Sequence, residues 1–119
     1  TGQYGAVFSN FLTQKKKKRS LTIVGNGKQT RDFIHVDDLT NAFIKLARSN
    51  LKNKIYNLGS GKETSINKIA NIIGGKKVFI PKRPGDPNRS CANISKIKKD
   101  IKWKPRISII EGIERLFQS

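Results

Sequence analysis

The chain has 119 residues, enough for one domain that buries roughly two-thirds of its unfolded surface. Its 25 Lys and Arg residues outnumber 8 Asp and Glu residues, giving a formal charge of +17, and no apolar run approaches the roughly 20 residues that a bilayer span requires. Cys91 is the only cysteine, which excludes an internal disulfide and a thiolate metal cluster, and we interpret it as a small packing residue.

The positive charge is scattered along the chain. Apart from the run from Lys15 to Arg19, the lysines lie among many Ile and Asn residues. This favours a compositional drift over a polyanion-binding surface, which needs basic residues gathered on one face. A small basic nucleic-acid-binding protein stays open as an alternative of another class. Methionine is absent and the opening Thr1–Gly5 carries no signal core, so we interpret the chain as a piece of a longer cytoplasmic protein.

The first half of the chain predicts two helices around two short strands. Apolar residues at a 3,4 spacing predict a helix over residues 6–18. β-Prone runs at 21–24 and 31–36 flank a turn whose Asn26-Gly27 step favours a tight reversal. Asp37 stands where an N-cap is wanted. The helix that follows has an apolar stripe made of Leu39, Ala42, Phe43, Leu46 and Ala47.

The next segment predicts a strand and a helix. Residues 55–58 read as a strand that is stopped by Gly59-Ser60-Gly61. Ser65 is expected to cap a helix that Gly74-Gly75 ends. The inward face of this helix is expected to consist of Ile66, Ile69, Ala70 and Ile73.

The last segment predicts a strand, a loop and two helices. Residues 78–80 form the strand, which Pro81 ends. A loop follows, because prolines and a glycine disfavour regular structure there: Pro84, Gly85 and Pro87. Short helices are expected over 95–101 and from Ser108, whose spacing to Glu111 fits a capping box.

Two arginine segments carry the most chemical information. Arg31 opens the run Arg31 to Asp38, and Arg83 opens Arg83-Pro84-Gly85-Asp86. A guanidinium is a planar, permanently charged fork of donors that matches phosphate oxygens two at a time. Asp86 can accept hydrogen bonds from ribose hydroxyls. A solvated charge at a strand start and a purely structural loop are the alternatives.

The other polar candidates have structural interpretations as well. Asp37 and Asp38 resemble an acid/base pair, but carboxylates at a helix N-terminus are favoured by capping and by the helix dipole. His35 is the only histidine and is interpreted as structural rather than catalytic. Asn57 either donates to a phosphate or ties down a turn. Gly59-Ser60-Gly61 lacks the spacing of a dinucleotide fingerprint or a P-loop, so it is not assigned a cofactor.

Taken together, five ordered segments resemble the extended short-chain dehydrogenase/reductase family, in particular its NAD-dependent nucleotide-sugar epimerases. The segments span nearly all of the chain: Leu21 to Gly25, Arg31 to Asp38, Ile55 to Gly61, Arg83 to Asp86, and Trp103-Lys104-Pro105. The resemblance implies an α/β (α+β) fold with a small mixed sheet and several helices. Residues 1–119 would be a single partial domain, the C-terminal substrate domain of such an enzyme without its N-terminal Rossmann domain.

The resemblance also implies that this chain holds a nucleotide-sugar site and that the catalytic groups belong to the Rossmann domain. Arg31 and Arg83 would bind the diphosphate and Asp86 the ribose, while Asn57 and Thr22 to Val24 would line the nucleotide pocket, with Val24 against the base. No residue of the chain is expected to be catalytic or to bind metal. NAD, the glycine fingerprint and the tyrosine-lysine pair belong to the Rossmann domain in this family, and Tyr4 does not match that tyrosine motif.

The implied parent enzyme is a UDP-glucose 4-epimerase-like homodimer. It would oxidise a sugar hydroxyl at carbon 4 by hydride transfer to NAD and return the hydride to the other face. A nucleotide-sugar 4,6-dehydratase or decarboxylase of the same family is the alternative. The chain alone would position the diphosphate and ribose and would be inactive.

Overall fold

A computed structural model describes residues 5–118 of the chain, with side chains from residue 7 onward. Tyr4 lies outside the described residues. The mixed α/β class predicted from the sequence is confirmed. The elements in chain order are α1 Gly5–Lys16, β1 Leu21–Val24, β2 Thr30–Arg31, α2 Val36–Arg48, β3 Thr64–Ser65, α3 Ile66–Ile73, β4 Lys77–Ile80, α4 Ser95–Ile101 and α5 Ile109–Gln118.

The strands form two separate pairs. β1 runs parallel to β4, with Leu21 opposite Lys77 and Val24 opposite Ile80. β2 runs antiparallel to β3, where Arg31 lies opposite Thr64. The parallel pair places the carboxyl ends of β1 and β4 at the same edge.

The reversal predicted between β1 and β2 does not produce a hairpin. The turn forms, and the Lys28 N–H donates to Asn26 Oδ1 at 2.9 Å. The turn is then tied to α3, because the Gly27 carbonyl accepts from the Asn67 N–H at 2.9 Å. A Cβ at Gly27 would come within 2.0 Å of the Asn67 side chain, so this close approach requires glycine.

Two predicted strands are shorter or missing. The run 31–36 contributes only Arg31 to β2, because the next residue, Asp32, bonds to loop amides instead of to a strand. Residues 55–58 are irregular, and Ile55 is 86 % exposed. At both places the residues are β-prone, but no neighbouring strand among the described residues pairs with them along their length.

The core consists of two clusters of buried side chains. The larger joins α1, β1, α3 and α5, and its members are Phe11, Leu21, Ile23, Ile66, Ile69, Ala70 and Ile113. The smaller joins α2 to the C-terminal segment through Ala42, Ile94, Ile97 and Trp103. The stripe predicted on α2 is therefore only partly buried, and Phe43 is 58 % exposed. None of the described helices is long and apolar enough to cross a bilayer.

The helix caps agree with the sequence at two positions and differ at one. Ser65 Oγ accepts from the Lys68 N–H at 3.0 Å, and Ser108 Oγ accepts from the Glu111 N–H at 3.1 Å. The prediction that Asp37 caps α2 is wrong. His35 is the cap, because its Nδ1 accepts from the Asp37 N–H at 3.0 Å.

Candidate functional site

The common edge of β1 and β4 forms the first part of the candidate site. The Gly25 N–H donates to the Ile80 carbonyl oxygen at 2.7 Å. The Gln29 side chain donates to the Val24 carbonyl oxygen at 2.8 Å and fixes the turn after β1. Open α/β sheets often bind ligands beyond the carboxyl ends of their strands. Val24, half-buried, lies at such an edge.

Thr22 lies two residues before this edge, and α1 occupies its polar groups. The Thr22 N–H donates to Gln14 Oε1 at 3.0 Å, and the Thr22 hydroxyl accepts from Gln14 Nε2 at 3.0 Å. The amide and hydroxyl of Thr22 are therefore directed to α1.

Arg31 is buried between β2 and the proline-rich loop of residues 81–89. The residue as a whole is only 5 % exposed. Nη1 donates to the Thr30 carbonyl oxygen at 2.6 Å, and Nη2 donates to the Pro87 carbonyl oxygen at 2.8 Å. The interpretation of Arg31 as a solvated charge at a strand start is therefore wrong.

The loop of residues 81–89 lies alongside β2 and carries the second predicted arginine. The Thr30 N–H donates to the Asn88 carbonyl oxygen at 2.9 Å, so backbone and side-chain bonds both hold this loop. Arg83 is exposed and Asp86 is half-buried. Gly85 between them has φ of +86°, and a Cβ there would meet open space. Backbone conformation, and not crowding, is what favours glycine at this position.

An ion pair between Glu63 and Arg89, called the clamp below, holds the C-terminal end of the loop. Arg89 Nε donates to Glu63 Oε1 at 2.9 Å, and Arg89 Nη2 donates to Glu63 Oε2 at 2.6 Å. The Thr30 hydroxyl also donates to Glu63 Oε1 at 2.7 Å. Hydrogen bonds from Arg89 and Thr30 lower the pKa of Glu63 to about 2. The same pairing raises the pKa of Arg89.

Asp32 fills the Gly59-Ser60-Gly61 turn. Its Oδ1 accepts from the Ser60 N–H at 2.7 Å and from the Ser60 hydroxyl at 2.5 Å, and its Oδ2 accepts from the Gly61 N–H at 2.9 Å. The Ala92 N–H donates to the same Oδ2 at 3.1 Å. A carboxylate of the protein therefore occupies the place that an external anion would take in this turn.

Neither glycine-rich turn of the described chain fits NAD. The Ser60 and Gly61 amides already bind Asp32. The turn at Gly25 and Gly27 leads into β2 and packs on the Asn67 side chain, whereas a dinucleotide fingerprint opens a helix whose N-terminus receives the pyrophosphate. These residues provide no dinucleotide site.

Asn57 and Cys91 lie on the surface near this region. Asn57 is exposed in an irregular segment, two residues before Gly59, where a Cβ would lie 2.8 Å from the Ala92 Cβ. Cys91 is exposed, so its interpretation as a packing residue is wrong. Partial desolvation and the nearby Asp32 and Glu63 carboxylates raise the pKa of its thiol.

The acidic residues at the start of α2 have structural partners. Asp38 is buried and accepts from the N–H groups of Arg106 at 3.0 Å and Ile107 at 2.9 Å. Asp37 lies 3.2 Å from the Arg115 guanidinium. Within the described residues, no three His, Cys, Asp or Glu side chains come together as a metal site.

The structure therefore brings Arg31, Val24 and the loop that carries Arg83 and Asp86 to one region. Sequence reasoning missed Asp32 and Glu63 as the residues that tie this region together. Arg89, at the end of the loop, is the partner of Glu63. The sequence offers no local signal for these contacts, because the partners of Asp32 and Glu63 lie between 26 and 60 residues away.

Comparison with known proteins identifies the family. The sequence profile of the GDP-mannose 4,6-dehydratase family matches residues 3–116. The chain belongs to this family. The family falls within the extended short-chain dehydrogenase/reductases, and the fold matches the C-terminal part of their epimerases.

Relatives with different assigned activities match at similar identity. The chain is 39 % identical, over 92 % of its length, to a protein of Methanocaldococcus jannaschii whose assignment as a UDP-glucose 4-epimerase is provisional. It is 36 % identical, over 93 % of its length, to UDP-glucuronic acid decarboxylase 1 of Xenopus tropicalis. The chain spans 37 % of the first relative and 28 % of the second.

Solved structures agree with this assignment. An epimerase of Methanothermobacter thermautotrophicus superposes with a TM-score of 0.88 at 28 % identity, over 94 % of this chain and 36 % of that one. UDP-glucuronic acid 4-epimerase of Bacillus cereus, in complex with UDP-glucuronic acid and NAD, superposes with a TM-score of 0.84 at 28 % identity. That match covers 91 % of this chain and 37 % of the epimerase, and NAD is thus a cofactor of the family.

Proposed function

We propose that this chain binds the nucleoside diphosphate part of a nucleotide sugar. In this proposal Arg31 and Arg83 neutralise the diphosphate, and Asp86 accepts hydrogen bonds from the ribose hydroxyls. Val24 lies against the base, and Thr22 and Asn57 line the nucleotide pocket. Because the Thr22 amide and hydroxyl are bonded to Gln14, Thr22 contributes shape to the pocket.

The observation that carries the proposal is the bond between Arg31 Nη2 and the Pro87 carbonyl at 2.8 Å. It joins the first arginine directly to the loop that contains Arg83 and Asp86, although the two segments are far apart in sequence. A guanidinium binds phosphate oxygens through charge-assisted hydrogen bonds, two at a time, so Arg31 and a neighbouring loop that carries Arg83 suit the two phosphates of a diphosphate. The UDP-glucuronic acid bound in the B. cereus epimerase gives independent support.

For the protein as a whole we propose an NAD-dependent, UDP-glucose 4-epimerase-like isomerase. NAD would be held by residues beyond this chain, which contains neither the glycine fingerprint nor the tyrosine-lysine pair. A decarboxylase or a 4,6-dehydratase remains the alternative, and the X. tropicalis relative supports the former. The homodimeric state and the cytoplasmic location stay predictions.

Titration of the protein with UDP, followed by calorimetry, tests the site. Arg83 is exposed, so Arg83→Ala should leave the fold intact and weaken UDP binding by about 1.5–3 kcal/mol, the usual contribution of a hydrogen bond to a charged group. Arg31 is buried, so Arg31→Lys is the gentler change. It keeps the charge, loses the fork and should weaken binding as well.

Lys99→Ala, which removes an exposed cation of α4, is the matched control and should bind UDP like the unmodified protein. Unchanged affinity in both arginine variants would refute the site. A log-log salt slope of several charges for RNA, without measurable UDP binding, would favour the nucleic-acid alternative.

A further inference from the structure

The loop that carries Arg83 and Asp86 is held down at the end that follows these residues. The Pro87 and Asn88 carbonyls accept from Arg31 and from the Thr30 N–H, and Arg89 forms the two-bond clamp with Glu63. Each of these bonds joins the loop to β2 or to the residue before β3.

Glu63 is a carboxylate that lies close to the proposed anion site. It immediately precedes Thr64, the residue that pairs with Arg31 in the β2–β3 ladder. A carboxylate here repels a diphosphate, so direct contact with the ligand would oppose binding. Its three donors come instead from Arg89 and Thr30, which the loop and β2 supply.

We propose that Glu63 and Arg89 are positioning residues that hold the 81–89 loop in the conformation that binds the diphosphate. The inference rests on the proposed function above. The clamp lowers the ordering cost of binding, because the loop residues that must contact the ligand are already fixed in the free protein. Neither member of the pair touches the ligand in this account.

The variants Glu63→Gln and Arg89→Gln, alone and combined, test the proposal in the protein at its natural length. Each single change should raise the Kd for UDP about three- to tenfold, the effect of releasing one or two ordered side chains. The double variant should be no weaker than either single one, because both changes break the same clamp.

Glu63→Gln is decisive because its sign separates the explanations. If charge alone mattered, removal of a carboxylate near a diphosphate would tighten UDP binding. A direct contact between Arg89 and the ligand would have the same result, since Arg89 would be released from Glu63. Only a positioning role predicts weaker binding. Glu114→Gln, which removes an exposed carboxylate of α5, is the control and should leave the Kd unchanged.

Amide hydrogen exchange of the ligand-free protein supplies a second measurement. The Thr30 N–H is bonded to the Asn88 carbonyl, so Glu63→Gln should speed its exchange. The Leu21 N–H, bonded to Lys76 across the other strand pair, should keep its rate, which separates local release from general destabilisation.

The outcomes are distinguishable. Equal or tighter UDP binding by Glu63→Gln overturns the positioning role, and so does weaker binding without faster exchange at Thr30. If the unmodified protein fails to bind UDP, the proposed function is wrong, and the Thr30 exchange rate still decides whether the clamp fixes the loop.

Discussion

Glu63 and Asp32 show how single carboxylates organise a strongly basic protein. Asp32 accepts four hydrogen bonds from the 60–61 turn and from Ala92, and Glu63 accepts three from Arg89 and Thr30. Asp32 directly follows Arg31, and Glu63 directly precedes Thr64, the residue that pairs with Arg31. Asp32 therefore joins the Arg31 segment to the 60–61 turn, and Glu63 joins β2 to the end of the 81–89 loop.

The clamp predicts the titration of Glu63. Its pKa is lowered from 4.5 to about 2 in the folded protein. Since the unfolded chain takes up this proton first, the stabilisation by Glu63 is complete above pH 4.5 and is lost as the pH falls through about 2. NMR titration of the Glu63 carboxyl carbon should show a midpoint near 2. The Arg89→Gln variant should return it toward 4.5, and a midpoint already near 4.5 in the unmodified protein would contradict the clamp.

At the scale of elements, α3 joins the core to the site. Its first turn is bonded to the Asn26-Gly27 turn through Asn67, and Ile66, Ile69 and Ala70 are buried in the larger cluster. Ser65, which caps α3, also pairs with Thr30 in the β2–β3 ladder. The start of this helix is thus coupled to the strand that carries Arg31.

Removal of the α3 cap should destabilise the protein. Ser65→Ala leaves the Lys68 N–H without its side-chain acceptor, and such a change costs about 1 kcal/mol. Urea unfolding followed by circular dichroism measures it. Ser95→Ala is the control, because α4 begins after Ile94 without a side-chain cap and should change by less than about 0.5 kcal/mol. Equal effects of the two changes would count against the cap.

The sequence predicted helices better than strands for a physical reason. The period of apolar residues and the caps at Ser65 and Ser108 are local signals, and α3 and α5 form where they indicate. The pairing of β1 with β4 depends on residues more than 50 positions apart. No local pattern reports such a partner, and the Asn26-Gly27 step misleadingly favoured a hairpin.

The whole molecule is more open than an ordinary domain of its length. Its radius of gyration is 16.1 Å, whereas a compact chain of this size has about 13.5 Å. Large apolar side chains also remain on the surface, with Phe43 58 % exposed and Phe79 55 % exposed. A reaction site that excludes water needs protein surfaces on more than one side, so this open shape suits the proposed binding role better than catalysis.

The chain by itself should therefore bind UDP without catalysis. Purified residues 1–119, supplied with UDP-glucose and NAD, should produce no detectable UDP-galactose, since the sequence contains neither a dinucleotide glycine fingerprint nor a tyrosine-lysine pair. A coupled assay for UDP-galactose measures the product, with an intact UDP-glucose 4-epimerase as the positive control. Measurable epimerisation by the chain alone would refute the expectation.

The sequence by itself determined the mixed α/β class, the positions of most helices and, through its five ordered segments, the family. These features depend on local periodicity and on short motifs, which can be recognised in the amino-acid sequence alone. Only the tertiary structure decided that Arg31 bonds to Pro87, 56 residues away, and that Glu63 clamps Arg89, 26 residues away. Such contacts form because packing brings distant side chains within hydrogen-bond distance, and composition and spacing carry no record of which residues will meet.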